Sequence, residues 1–311
     1  MSEMTKQNVM LGSDPELLLE KTINGRTKAF PIIGLLGHGK DNPLHIDDSG
    51  FRTLQEDNVA LEYTTHPTSN KADFITEQQA MLEVARAKAA EFGLTIREKS
   101  SAVDFEQRML MSEAAKTFGC EPTWNAYTNA ENPSPNARQY LRSVGGHIHI
   151  SYDNPTNEKS MELAKLLDIK YLEHKADLSG NNDNARRRLY GKAGEIRLKS
   201  YGFEWRVLSN AWVFDARTIG LIWDIVEQVF EEYERGVRVK ETKYQAIQRK
   251  VSSNEQLHPS AIDIYTFTLT PKPKKVVPTS VKKPAVKKTV AKKTVAKKPT
   301  VKRKSRKLVA A

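Results

Sequence analysis

The chain has 311 residues, a single cysteine and a formal net charge of +11. One cysteine excludes an intramolecular disulfide. No apolar run approaches the roughly 18 residues of a membrane span, and the N-terminal residues lack the basic-then-apolar order of a secretory signal, so a cytoplasmic protein is expected. The charge is unevenly placed: residues 271–311 hold sixteen Lys plus Arg and no acid, leaving 33 basic and 38 acidic residues, a net −5, over 1–270. Electrostatic arguments for nucleic acid therefore apply to the C-terminal segment and not to the mildly acidic remainder.

In chain order, Val9 to Glu20 reads as a strand interrupted at Pro15, and Leu54 to Thr65 as a second strand. Between Ala72 and Phe92 the residues Ile75, Leu82, Ala85, Ala89 and Phe92 share one face of a helix. Ser143 to Tyr152 is a third strand, and Thr156 N-caps a helix running to about Asp177. Glu195–Lys199 and Phe203–Leu208 form a hairpin about Ser200–Gly202. Ser209 to Arg235 reads as the longest helix, with Trp212, Ile219, Trp223, Val226 and Phe230 buried. Gly34–Gly50 and Ser179–Ala185 are polar loops, and Lys240–Thr270 holds a helix and a peripheral strand. This pattern predicts an α+β fold with a largely antiparallel sheet over 1–270. After it, Lys-Lys pairs at 282/283, 287/288, 292/293 and 297/298 make a disordered tail at 271–311, an arm suited to polyanions without base specificity.

Several strands carry ionisable residues two apart, which places them on one face of a sheet. These are Asp14 and Glu16; Glu56, Asn58 and Glu62; His147 and His149; and Glu204 and Arg206. Each pair alone suits an ordinary wet sheet face. Gathered in one sheet, the carboxylates would repel unless a cation neutralised them, and carboxylate-rich sites favour Mg²⁺ or Mn²⁺ over Zn²⁺. Arg186, Arg187 and Arg188, followed by Lys192, Arg197 and Lys199 around a Gly-containing turn, suit a clamp on nucleotide phosphates. Cys120 has no evident base beside it and is assigned to packing. Two other readings remain open at this level: a nucleic-acid-binding or packaging-associated protein acting through its tail, and a His147–His149–carboxylate iron triad.

The segments Gly12-Ser13-Asp14-Pro15-Glu16-Leu17, Pro31-Ile32-Ile33-Gly34, Gln55 to Glu62, Gly119-Cys120-Glu121-Pro122, Gly145 to Ile150, Arg187 to Gly194 and Tyr201 to Asn210 resemble, in this order, the type 2 phage carboxylate–amine ligase family. That family is placed with glutamine synthetase and γ-glutamylcysteine synthetase. The resemblance implies a curved, mainly antiparallel sheet with helices packed on one side, holding ATP and Mg²⁺, with Mn²⁺ as a substitute. It implies Asp14, Glu16, Glu56 (or Asn58), Glu62, His147 and Glu204 as metal ligands, and places Asp57 on the other face of a regular strand. It also implies His149, Arg197 and Arg206 as catalytic residues, with Arg206 on the transferring phosphoryl group. Arg187, Arg188, Lys192, Arg197 and Lys199 are then left for the nucleotide. The expected reaction is amide formation through an acyl phosphate, from a carboxylate and an amine carried by small metabolites, peptides or cell-wall precursors. The oligomeric state is left open.

Overall fold

The computed structural model describes residues 8–112, 115, 123–133, 140–253 and 265–267. All of these belong to the unit Met1–Thr270. The Gly119–Pro122 motif with Cys120, and the Lys-rich segment 271–311, lie outside the described residues.

An open nine-stranded sheet organises the unit. Its strands are β1 (Met10–Leu17), β4 (Leu44–His45), β5 (Thr53–Asp57), β6 (Ala60–Thr64), β9 (Trp124–Asn125), β10 (Ala130–Glu131), β12 (Gly146–Ser151), β13 (Glu195–Lys199) and β14 (Gly202–Trp205). They run in the order β10-β9-β13-β14-β12-β1-β6-β5-β4, each neighbouring pair antiparallel. Small satellite sheets pair β2 (Leu19–Ile23) with β3 (Arg26–Phe30) and β7 (Thr95–Ile96), β8 (Ala102–Asp104) with β11 (Leu141–Ser143), and β15 (Val237–Val239) with β16 (Tyr265–Phe267). The helices are α1 (Lys71–Glu91), α2 (Asn157–Glu173), α3 (Lys175–Leu178), α4 (Asp183–Arg187), α5 (Ala216–Glu234) and α6 (Tyr244–Ser252).

Three expectations are corrected. Pro15 does not interrupt the first strand, because β1 continues through it opposite Gly146. Leu54–Thr65 is not one strand but the hairpin β5–β6, turning at Asn58–Val59 with Asn58 in the left-handed region at φ 54°. Ser209–Arg235 is a 3-10 turn at Asn210–Phe214 followed by α5, whose N-cap Asp215 accepts a hydrogen bond from the Arg217 N–H. The longest helix is instead α1, 21 residues, capped by Asn70 at the Asp73 N–H. Thr156 caps α2 through the Lys159 N–H, 3.1 Å, as the sequence predicts.

One face of the sheet carries the core. Leu11 and Leu17 of β1, Leu61 and Tyr63 of β6, Ile148 and Ile150 of β12, and Phe203 and Trp205 of β14 are buried there with Phe74, Leu163, Leu167, Ile222 and Val226 of the helices. Each fully buried side chain of this size contributes about 1.5–3 kcal/mol by leaving water. Polar groups on this face are paired. Gln78 of α1 bonds Ser13, and Asp168 of α2 accepts from the Trp205 indole N–H at 3.2 Å and the Gly194 N–H at 2.6 Å. Asp168 thereby fastens the helix layer to β14 and to the turn before β13.

Burial pushes the Asp168 carboxyl up to about 7, against the pull of those hydrogen bonds. The unfolded value is near 3.9, so between about pH 4 and 7 the folded chain binds more protons than the unfolded one. Stability should be greatest below that window and fall as pH rises through it, by up to about 1.4 kcal/mol per pH unit. Urea denaturation across the window should show this slope, and Asp168→Asn should flatten it; an unchanged slope in the variant would locate the pH dependence elsewhere.

Candidate active site

The other face of the sheet gathers the ionisable residues. The register places Asp14 opposite His147, Glu16 opposite Glu62, and Glu204 between His149 and Arg197. A polar row therefore crosses β13, β14, β12, β1 and β6, each residue held by two neighbouring strands.

Local sequence shapes the row. A Cβ on Gly145 would lie 2.2 Å from the His147 Nε2, and one on Gly146 would lie 2.6 Å from both the Ser209 carbonyl oxygen and the Trp212 indole nitrogen. The Gly145-Gly146 pair thus lets the His147 ring lie against the backbone and the 3-10 turn close on β12. The Gly145 N–H also donates to Glu16 at 2.7 Å. The buried Arg186 guanidinium bonds the carbonyls of Val144, Arg206, Val207 and Leu208, which ties the segment before β12 to the one after β14.

Two subsites differ in charge balance. In the first, ligand atoms of Asp14, His149 and Glu204 lie within 4.8 Å of one another. His149 Nε2 is 3.2 Å from Asp14, and His147 Nδ1 is 3.4 Å from both Asp14 and Glu204. Glu204 is fully buried and paired with Arg197 at 3.0 Å and with Arg206. Burial opposes ionisation of Asp14, but His149 and then His147 hold its carboxyl well below the usual range. Glu204 is also lowered: burial and Asp14 oppose this, and Arg206, His147 and His149 outweigh them. The His149 imidazole is raised by Asp14 against its own burial, and its Nδ1 meets the Tyr201 hydroxyl at 2.5 Å.

In the second subsite the ligand atoms of Glu16, Asp57 and Glu62 lie within 4.8 Å of one another. Burial raises Glu16 above the usual range, with Asp57 adding to the effect. Glu62 is pushed up much further, by burial and then by Asp14, Asp57 and Glu16. The residue is 6% exposed, and the positive group acting on it is Lys40. Buried carboxylates this close are stable when a cation joins them, and an all-oxygen donor set suits Mg²⁺ or Mn²⁺. The residues present therefore fit a divalent ion at the second subsite, and Asp14, His149 and Glu204 offer a mixed donor set for another.

Asp14, Glu16, Glu62, His147, His149, Arg197, Lys199, Glu204 and Arg206 all reach this face. His149, expected as a catalytic residue, joins the first ligand cluster, while His147, expected as a metal ligand, lies between Asp14 and Glu204. Three expectations are corrected. Glu56 is not near the cluster: the two-residue turn pairs Gln55 with Glu62 and Glu56 with Leu61, so the odd-numbered residues of β5 share the Glu62 face. Its carboxylate instead accepts the N–H groups of Gly34, Leu36 and Gly37 at 2.8, 2.7 and 3.0 Å. Asp57 takes its place, and the turn residue Asn58 was the signal that could have shown it. Arg187, expected at the nucleotide, is buried against Asp183, Tyr171 and the carbonyls of Gly191 and Val207, which engage its donors inside the protein. Arg188 is exposed and lines a separate hollow with Lys175 and Asn182. Lys192 contributes a backbone N–H to Glu195 at 2.9 Å.

Two hollows flank the row. A polar one is lined by Glu16, Asp57, His147, Arg142, Arg186 and Arg206. The other, about 430 Å³, is bounded by Gly12, Phe51, Thr64, His149, Ser151 and Tyr201. Arg142 and Lys40 are additions that sequence reading passed over. Lys40, in the loop after β3, reaches Asp57 at 3.0 Å, and Asp57 and then Glu62 raise its ammonium against burial.

Residues 131–257 match the family model described as phage phiEco32-like COOH.NH2 ligase-type 2. This is the family that the sequence motifs resemble. The match spans β12, β13 and β14, hence His147, His149, Arg197, Glu204 and Arg206, while the acids of β1, β5 and β6 join them only through the sheet. A search of curated proteins finds no match. Among the described residues, no helix is long and apolar enough to cross a membrane.

If Glu62 lacks its counter-ion in the protein alone, replacing its charge should help. Glu62→Gln should raise the melting temperature in chelator by roughly 2–4 °C, equivalent to about 1 kcal/mol. It should also shrink the further rise on adding Mg²⁺, leaving what the Asp14–His149–Glu204 subsite contributes. A lower melting temperature in chelator would show that Glu62 is already compensated.

Proposed function

We propose that the chain is an ATP- and Mg²⁺-dependent carboxylate–amine ligase. The observation that carries this reading is the single sheet face on which the Glu204–Arg206 pair, inside the family match, stands beside the acids of β1 and β6. A carboxylate resists attack by an amine because its leaving group would be oxide. Transfer of the ATP γ-phosphoryl group to a carboxylate oxygen gives an acyl phosphate and ADP. A neutral amine then adds to the acyl carbon, phosphate leaves with its bonding pair, and the nitrogen gives up a proton to yield the amide.

Each residue has a chemical task in that scheme. Asp14, His149 and Glu204 hold one metal ion, and Glu16, Asp57 and Glu62 a second. When bound, Mg²⁺ neutralises charge on phosphoryl oxygens and orients them. Arg206, buried and steered by Glu204, directs a guanidinium at the transferring group, where planar bidentate donors suit phosphoryl oxygens. Arg197 aligns Glu204 from the other side. The hollow with Phe51 and Tyr201 offers partly aromatic walls for the nucleoside, with Lys199 on the same side of the sheet. The hollow with Arg142 and Arg206 offers guanidinium groups for the carboxylate substrate beside the acids Glu16 and Asp57. Small metabolites, peptides and cell-wall precursors all present such groups. The Lys-rich segment 271–311 is proposed to hold a polyanion such as nucleic acid, placing the enzyme in the cytoplasm near it.

Equilibrium binding of ATP to the full chain tests the reading. Binding should saturate, require Mg²⁺, and weaken at least about tenfold in both Glu16→Gln and Glu204→Gln. Attraction of ATP to the Lys-rich segment needs no Mg²⁺ and is indifferent to both substitutions, so metal-independent binding alone would refute the ligase.

A further inference from the structure

Lys40 lies in a segment with no regular secondary structure, yet β5 grips that segment from both sides. On one face the Glu56 carboxylate collects the N–H groups of Gly34, Leu36 and Gly37, and the Glu56 N–H donates to the His38 carbonyl at 2.7 Å. The segment is compact in itself: the Gly39 N–H donates to the Asn42 side chain at 3.1 Å, and His38 Nδ1 lies 2.9 Å from the Asn42 carbonyl oxygen. On the other face Lys40 Nζ lies 3.0 Å from Asp57 Oδ2, with about half of the lysine side chain exposed. A backbone held by hydrogen bonds to Glu56 thus carries a half-exposed cationic side chain to the edge of an acidic site.

We propose that Lys40 is a tethered counter-ion of the Glu16–Asp57–Glu62 site, one that competes with a divalent cation for Asp57 and withdraws into solvent when the cation enters. The inference rests on the metal reading given above and adds the residue that regulates occupancy of the second subsite. The chemistry favours displacement over coexistence. A single ammonium satisfies one carboxylate, whereas a divalent ion takes six or more oxygen ligands and calls on all three acids. An ammonium on a half-exposed four-carbon stem regains its hydration on leaving Asp57, which offsets the lost ion pair once a divalent ion takes over the carboxylate. The anchored loop keeps the ammonium at high effective concentration, so it returns when the ion leaves. The buried acids then need not be left without any positive charge between catalytic cycles.

Mn²⁺ titration of the full chain, followed by the electron paramagnetic resonance of free Mn²⁺, reads the competition. Lys40→Met should bind Mn²⁺ about five- to tenfold more tightly at one site, Lys40→Arg should resemble the unsubstituted chain, and Glu62→Gln should lose that site. Equal or weaker binding by Lys40→Met overturns the proposal while leaving the metal site in place. Absence of Mn²⁺ binding in both the unsubstituted chain and Lys40→Met overturns the metal reading and this inference with it. Amine labelling of the unsubstituted chain, quantified by mass spectrometry at Lys40, supplies a check that needs no variant. Labelling should rise on saturation with Mn²⁺, and an unchanged or lower yield refutes release of the side chain.

Discussion

Repulsion among Asp14, Glu16, Asp57, Glu62 and Glu204 is the constraint around which the site is arranged. Antiparallel pairing sets Glu16 against Glu62 and Asp14 against His147, so the strands cannot slide to separate the charges without turning their apolar side chains away from the helices. The core on one face therefore fixes the electrostatic problem on the other. Positive groups answer it at one end, where the two histidines lower Asp14 and, with Arg206, lower Glu204 against burial. They answer it incompletely at the other, where Glu62 is driven toward its protonated form. That imbalance, more than the presence of acids, points to a divalent ion.

The arginines divide by task, and position decides which task each has. Arg186 and Arg187 adjoin in sequence and are both buried, but their donors are consumed by backbone carbonyls, Asp183 and Tyr171. They stiffen the segments around β12 and β14 from which the polar row projects. Arg206 stands at the end of β14 and lines the polar hollow beside Glu16 and His147. A buried guanidinium whose donors are taken up by carbonyls is scaffold, and one that pairs with a carboxylate and lines a hollow is placed to meet an anion.

The hairpin β5–β6 shows how a small local feature redirects chemistry. An unbroken strand would have put Glu56 on the same face as Glu62. A two-residue turn reverses the chain and changes the parity of the facing residues, so Asp57 arrives and Glu56 turns outward to the loop backbone. The same turn brings Lys40 into the site, because the loop that Glu56 grips is the loop that carries it.

Alternation of apolar and ionisable residues sufficed to place Asp14 with Glu16, His147 with His149, and Glu204 with Arg206, each pair on one face of its own strand, because a period of two is a property of any strand. Helical spacing likewise placed Leu82, Ala85 and Ala89 in the core, and Thr156 at a helix start. What sequence could not decide was adjacency between strands distant along the chain. The order β13-β14-β12-β1-β6-β5 brings together residues up to roughly 190 positions apart, and it arises from burial of the whole apolar face rather than from any local signal. The exchange of Asp57 for Glu56, the structural use of Arg187 and the arrival of Lys40 all follow from that assembly, since each depends on which backbone or charge lies across a gap that only tertiary packing closes.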